Sequence, residues 1–361
     1  MKKYRIPLAC FFIFLWGMFL RWQGLANREL WNDEIYQIQK TLGPFKPIWC
    51  REIYGDFTCF PGDYLLTYPF VQMSGYDHKW ISAIPHIFVT ILGFYLLYRL
   101  CKKYFTTVFG YVITFFIYAF NANLVYHAFE LRPYAVLPVM TISAFLLIGI
   151  LFERHEKLSR LQKFLTGLAL VGLMLFHMYG VLIVGLLALW FLLAGVHDSL
   201  GRRRLVGPLK LLILSGLLAL PVWLWYSSCD PYHLSRENLL ASGRYVFDFI
   251  PNPMENLIGF LKGVFGNLMG DKKLYVFLLS LIVAPFIPYP QRFRQLGFFL
   301  ILIVLPIEFL LLADVLKAYW FIPRQFVWVM PLLAFLLGWQ WDALIKYYWD
   351  TRTQDDLTRD T

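Results

Sequence analysis

The sequence predicts an all-α polytopic membrane protein, and three observations carry that prediction. Of 361 residues, 59% are hydrophobic and only 16% charged, a balance foreign to soluble domains. Apolar runs near the roughly 20 residues that a bilayer core requires recur from one end of the chain to the other. Lys and Arg gather in alternate short links between those runs, where they fix topology. The formal net charge of +10 therefore belongs to membrane orientation and does not call for a nucleic-acid partner.

Ten spans follow from the apolar runs: residues 4–22, 79–100, 104–120, 133–152, 164–178, 180–196, 209–228, 274–289, 296–313 and 325–345. The first is too long and too aromatic for a signal peptide, and no small-residue cleavage site follows it. One set of span ends carries Lys2, Lys3 and Arg5, then Lys102 and Lys103, then Arg154, Lys157, Arg160 and Lys163, then Arg202, Arg203 and Arg204, and finally Arg292 and Arg294. Ten spans with both termini inside the cell place all of these on the inner face. The opposite links hold Asp33, Arg132, His177 and Arg324, which then face the periplasm or exterior. The expected organisation is one transmembrane domain, 1–345, with long outer loops at 23–78 and 229–273. A polar cytoplasmic tail, 346–361, follows, and from Trp349 onward it is expected to be disordered.

Within the first outer loop, 33–42 and 61–75 are aromatic and partly amphipathic, and they predict short helices lying at the membrane interface. Cys50 and Cys59 fall in the same loop; they can pair in an oxidising compartment or remain free thiols. No CxxC or His/Cys cluster suggests zinc.

The residues that draw attention sit at the outer ends of the spans. Leu30, Trp31 and Asn32 lead into two adjacent carboxylates, Asp33 and Glu34, just after the first span. A polar helix cap is the bland reading of that pair. Glu130 and Arg132 lie beside the proline that opens the fourth span. They suit either a loop ion pair or, through the planar fork of Arg132, a phosphate site. His177 and Tyr179 occupy a tight outer turn, and Arg324 stands beside aromatics in the last outer link. Glu308 lies inside an apolar run, where an ionisable group is by default a functional hypothesis.

In order and placement these motifs resemble the GT-C glycosyltransferases. The nearest branch is the bacterial one related to protein O-mannosyltransferases, aminoarabinose transferases and lipopolysaccharide galacturonosyltransferases. The resemblance begins with Leu20-Arg21-Trp22-Gln23-Gly24-Leu25 and the Leu30–Glu34 stretch. It continues through Pro61-Gly62-Asp63-Tyr64, the segment opened by Lys79, Glu130-Leu131-Arg132-Pro133-Tyr134, His177-Met178-Tyr179-Gly180 and Pro323-Arg324. It covers residues 21–179 well and the second half only at Arg324. It implies a GT-C-like fold and a transferase that takes a sugar from a polyprenyl-phosphate sugar at the outer leaflet. The acceptor would be an envelope glycan, lipid or protein. By the same resemblance Asp33 matches the base and Glu34 its acidic neighbour, while Arg132 and Arg324 match cations suited to the donor phosphate. Arg21, Lys79, Glu130, His177, Tyr179 and Glu308 complete the candidates. Lys79 stands where the family often has Arg, and the large soluble C-terminal domain of some members is missing.

The implied chemistry agrees with these residue types. An acceptor hydroxyl needs a base, and a carboxylate can serve. The leaving group is an anionic phosphate that needs fixed cations more than a proton. A single displacement would invert the anomeric centre. No Gly-rich phosphate loop suggests a nucleotide sugar. No cofactor is expected to be obligatory, although Asp33, Glu34 and Glu130 together offer oxygen ligands for a divalent ion. Two other classes compete. An O-antigen polymerase or ligase also carries outer arginines but no acidic pair after the first span. A lipid-linked-sugar flippase would place polar residues along mid-span positions and show internal repeats, and no such repeat is seen.

Overall fold

A computed structural model describes residues 2–27, 29–43, 62–197, 202–228, 287, 291–309 and 323–359, which are overwhelmingly helical and contain no strand. Helix α1 spans Lys2–Asn27, and the short helices α2 (Asn32–Leu42) and α3 (Gly62–Ser74) follow it. Next come α4 (Lys79–Tyr104), α5 (Val108–Phe120), the single turn α6 (Ala122–Tyr126), α7 (Leu137–Arg154), α8 (Arg160–Phe176), α9 (Met178–His197) and α10 (Arg202–Ser228). After 287, α11 (Gln291–Phe299) runs on through a π-helical stretch, Leu300–Val304, and α12 (Met330–Arg359) follows a 3₁₀ segment, Pro323–Val329.

Five of these helices contain stretches long and apolar enough to cross a membrane: Ile6–Asn27, Lys79–Tyr104, Leu137–Lys157, Leu205–Val222 and Phe326–Trp349. Val108–Phe120 and Tyr179–Leu193 are apolar but shorter. The expected eighth span lies outside the described residues apart from Ile287, and the expected ninth is described only as far as 309. Cys50 and Cys59, and all of the second long loop, also lie outside the described residues. The two short helices expected in the first loop are present as α2 and α3.

Burial sorts the spans. The apolar stretch of α1 is only 22% buried, and Phe11, Phe12, Trp16 and Phe19 project outward. That pattern suits lipid, which removes any penalty for an exposed aromatic. The corresponding stretches of α7 and α12 are 67% and 78% buried and form the centre. There Phe145 of α7 meets Trp190 of α9 at 5.5 Å, Phe335 of α12 at 5.4 Å and Phe298 of α11 at 5.9 Å. Tilted rings of this kind fill volume with large apolar surface.

Small residues let the helices approach where they cross. A Cβ on Gly17 of α1 would sit 2.9 Å from the Ala119 Cβ of α5, and one on Gly338 of α12 would fall 1.9 Å from the Thr114 Oγ1 of α5. At the far end of that second crossing, Asp342 accepts the backbone N–H groups of Thr106 and Thr107, at 3.1 and 2.6 Å. It thereby caps α5 from another helix. The expected disordered tail is a correction: α12 continues to Arg359. Residues 346–359 contain no Gly or Pro to stop a helix whose costly nucleus the buried part of α12 already supplies.

Candidate active site

Asp33 and Glu34 both fall in the first turn of α2, where the helix dipole favours carboxylates. Adjacent helical residues point about 100° apart, so the two acids meet different surroundings. Glu34 is fully buried. Its Oε1 accepts the Leu131 N–H at 2.9 Å and its Oε2 accepts the Trp31 N–H at 3.4 Å, the second contact being the return half of a capping box. Asp33 keeps a third of its side chain exposed and faces Arg132, with Nη2 to Oδ2 at 3.8 Å. The Arg132 side chain is only 8% exposed. Its backbone is extended (φ −153°, ψ 156°), the conformation that the following Pro133 imposes.

The neighbouring turn keeps Glu130 away from Arg132. Glu130 is fully buried, and its carboxylate pairs with His127 Nδ1. Only its carbonyl, accepting the Arg132 N–H at 2.8 Å, touches the arginine. The ion pair that sequence spacing suggests between Glu130 and Arg132 is thus replaced by two pairs, Glu130 with His127 and Arg132 with Asp33. The His127 ring stands edge-on to Tyr134 at 5.6 Å, and both line a narrow cavity with Arg21, Thr90 and Tyr118.

Arg21 and Lys79 have anchoring contacts. Arg21 is 2% exposed and donates to the carbonyls of Gly17 (2.9 Å), Ala119 (2.8 Å) and Tyr118 (3.0 Å). It satisfies the last carbonyls of α5, where a cation also complements the dipole. Its guanidinium lies 5.2 Å from the Phe94 ring centroid. Lys79 Nζ donates to the Ala26 carbonyl at 3.4 Å and ties the start of α4 to the end of α1.

His177 and Tyr179 do come together. Their rings stack at 5.1 Å, the Tyr179 N–H donates to His177 Nδ1 at 3.1 Å, and Tyr179 lies 6.2 Å from Trp328. Both are almost wholly buried. Only the backbone of Arg324 is described; it lies in the Pro323–Val329 segment, which packs against the Pro133–Ala135 turn immediately after Arg132. Glu308 is exposed, four residues past the π-helical stretch.

One polar cluster escaped the sequence reading. Asp63 of α3, fully buried, accepts Gln37 Nε2 of α2 at 2.6 Å and pairs with His86 Nε2 of α4 at 2.9 Å. The available signal was His86 itself, an ionisable group inside an apolar span. Among the described residues no group of three or more His, Cys, Asp or Glu side chains is arranged to hold a metal ion. Comparison with protein-family models, curated proteins and solved structures returns no match.

Proposed function

We propose that the protein is a membrane glycosyltransferase of GT-C type that moves a sugar from a polyprenyl-phosphate donor to an envelope glycan, lipid or protein. The reading has the site facing the periplasm or exterior of a bacterial inner membrane. The observation that carries it is the Asp33–Arg132 pair. A partly exposed carboxylate and a nearly buried guanidinium from segments 99 positions apart stand 3.8 Å from each other. Inverting transfer from a lipid phosphate needs a base beside an anion site.

In the proposed step the acceptor hydroxyl oxygen bonds to the anomeric carbon and its proton passes to the Asp33 carboxylate. The bond from that carbon to the phosphate oxygen breaks, and its electron pair leaves with the phosphate. Arg132, joined by Arg324, stabilises that charge through hydrogen bonds that are strongest as it develops. Glu34, enclosed by backbone N–H donors, braces α2 against the 131 loop rather than taking the proton.

The test is incubation of purified protein with a labelled polyprenyl-phosphate sugar and an envelope extract as acceptor source. Cleavage of label from the lipid, with transfer to acceptor, is the expected result. Label that crosses vesicles without cleavage would point to a flippase, and extension of a pre-existing lipid-linked oligosaccharide to a polymerase.

A further inference from the structure

The acidic pair rides on a short helix whose fully buried face is mostly polar. The buried residues of α2 are Glu34, Gln37, Ile38 and Thr41. Ile38 alone among them is hydrophobic; it meets Val71 and Leu131, and the partly buried Leu42 and Tyr36 add apolar contacts at its edges. An eleven-residue helix is marginal by itself and takes its position from its partners. Several of those contacts are polar. Gln72 donates to the Thr41 carbonyl at 2.7 Å, Leu131 donates to Glu34, and Gln37 donates to Asp63.

Asp63 is the hub of this dock. An ionised carboxylate only accepts, so Gln37 Nε2 and His86 Nε2 both donate to it, which fixes the amide orientation and the imidazole proton. Thr67 supports the hub: its hydroxyl donates to the Asp63 carbonyl at 2.8 Å and lies 3.4 Å from Gln37 Nε2. The chain His86–Asp63–Gln37 therefore runs from spanning helix α4 through α3 into α2, with every member fully buried. Gln37 lies one helical turn after Asp33. Removing one partner from a buried charge costs more than the pair contributed, so a break here has to be relieved by movement of the least anchored element, α2.

We propose that Asp63, gripped between His86 and Gln37, is the positioning residue that sets α2, and with it Asp33, against Arg132. The kinetic part of this proposal rests on the transferase reading; its structural part does not.

The experiment combines hydrogen exchange and turnover on full-length protein in lipid nanodiscs. Asp63→Asn is expected to raise exchange in α2 by about tenfold while α4 and α5 keep their protection. Its kcat should fall roughly 10–100-fold, the usual cost of a small misplacement, with donor KM within about twofold because the phosphate contacts do not lie on α2. His86→Gln, whose amide can still donate to Asp63, should hold α2 protection closer to wild type than His86→Ala. That pair decides the matter even where Asp63→Asn fails to fold. Unchanged α2 exchange in Asp63→Asn, equal loss of protection throughout α4 and α5, or His86→Gln no better than His86→Ala would each overturn the proposal. A wild-type protein that transfers no sugar, with the α2-specific rise in exchange still seen in Asp63→Asn, would sink the transferase reading and leave the dock standing.

Discussion

At the scale of single residues, neighbouring acids are divided by what encloses them. Glu34 is buried against two backbone donors, and Asp33 is a third exposed and faces the Arg132 guanidinium. Glu34→Gln keeps an oxygen for the Leu131 N–H, so the expected loss of transfer is within about fivefold. Asp33→Asn should lose at least the ~10²-fold typical of a general base, with unchanged yield of folded protein. Equal losses in the two variants would exchange their roles. Arg21 makes the opposite kind of case. Its sequence context resembles a family site segment, but its Nη1 and Nη2 donate to the end of α5 and to Gly17 of its own helix. Arg21→Met strips donors from three buried carbonyls and is expected to cost about 1–3 kcal/mol, read as a lower Tm in detergent. An unshifted Tm with lost transfer would return Arg21 to the site.

Between elements, close approach is the controlling quantity. Ala at 338 would drive Cβ to 1.9 Å from Thr114 Oγ1 and 2.6 Å from the Gly110 carbonyl, and the second of these is backbone that cannot rotate away. Gly338→Ala should therefore destabilise by about 1–3 kcal/mol despite its better helix propensity. Gly172→Ala in α8, with nothing within 4 Å of the new methyl, should be neutral or slightly stabilising. Thermal unfolding of the two variants side by side checks the claim, and equal Tm values would refute it. The elements themselves were legible to different degrees. Long apolar runs fixed the location of α1, α4 and α7 because a bilayer-length run has few other uses. The acid–arginine pair was legible as two separate outer-end charges, since alternating topology brings such ends to one side. The His86–Asp63–Gln37 chain was not. Its members are 23 and 26 positions apart on three elements, with no local spacing to betray them. Nor can sequence show which carbonyls a basic residue will reach, as Arg21 and Lys79 do at the ends of α5 and α1.

For the whole molecule the central question is whether its two halves share one anion site. Arg132 follows α6 and Arg324 precedes the deeply buried start of α12, yet the turns that carry them pack against each other. Two cations converging on one phosphate contribute both to binding and to departure of the leaving group. Arg→Lys at either position keeps the charge but loses the paired donors, so donor KM should rise at each. On the proposed mechanism Arg→Ala should raise KM and also lower kcat, because the same phosphate would gather charge in the transition state. At 132 a further loss is expected because the ion pair with Asp33 is removed as well. The decisive measurement is the double Arg132→Ala, Arg324→Ala variant in a donor titration. One phosphate held by both gives a combined loss in kcat/KM well short of the product of the single losses, a coupling of roughly 0.5–3 kcal/mol. Strictly multiplicative losses would mean two independent sites, and Arg324 would then belong to the acceptor or to the fold rather than to the donor phosphate.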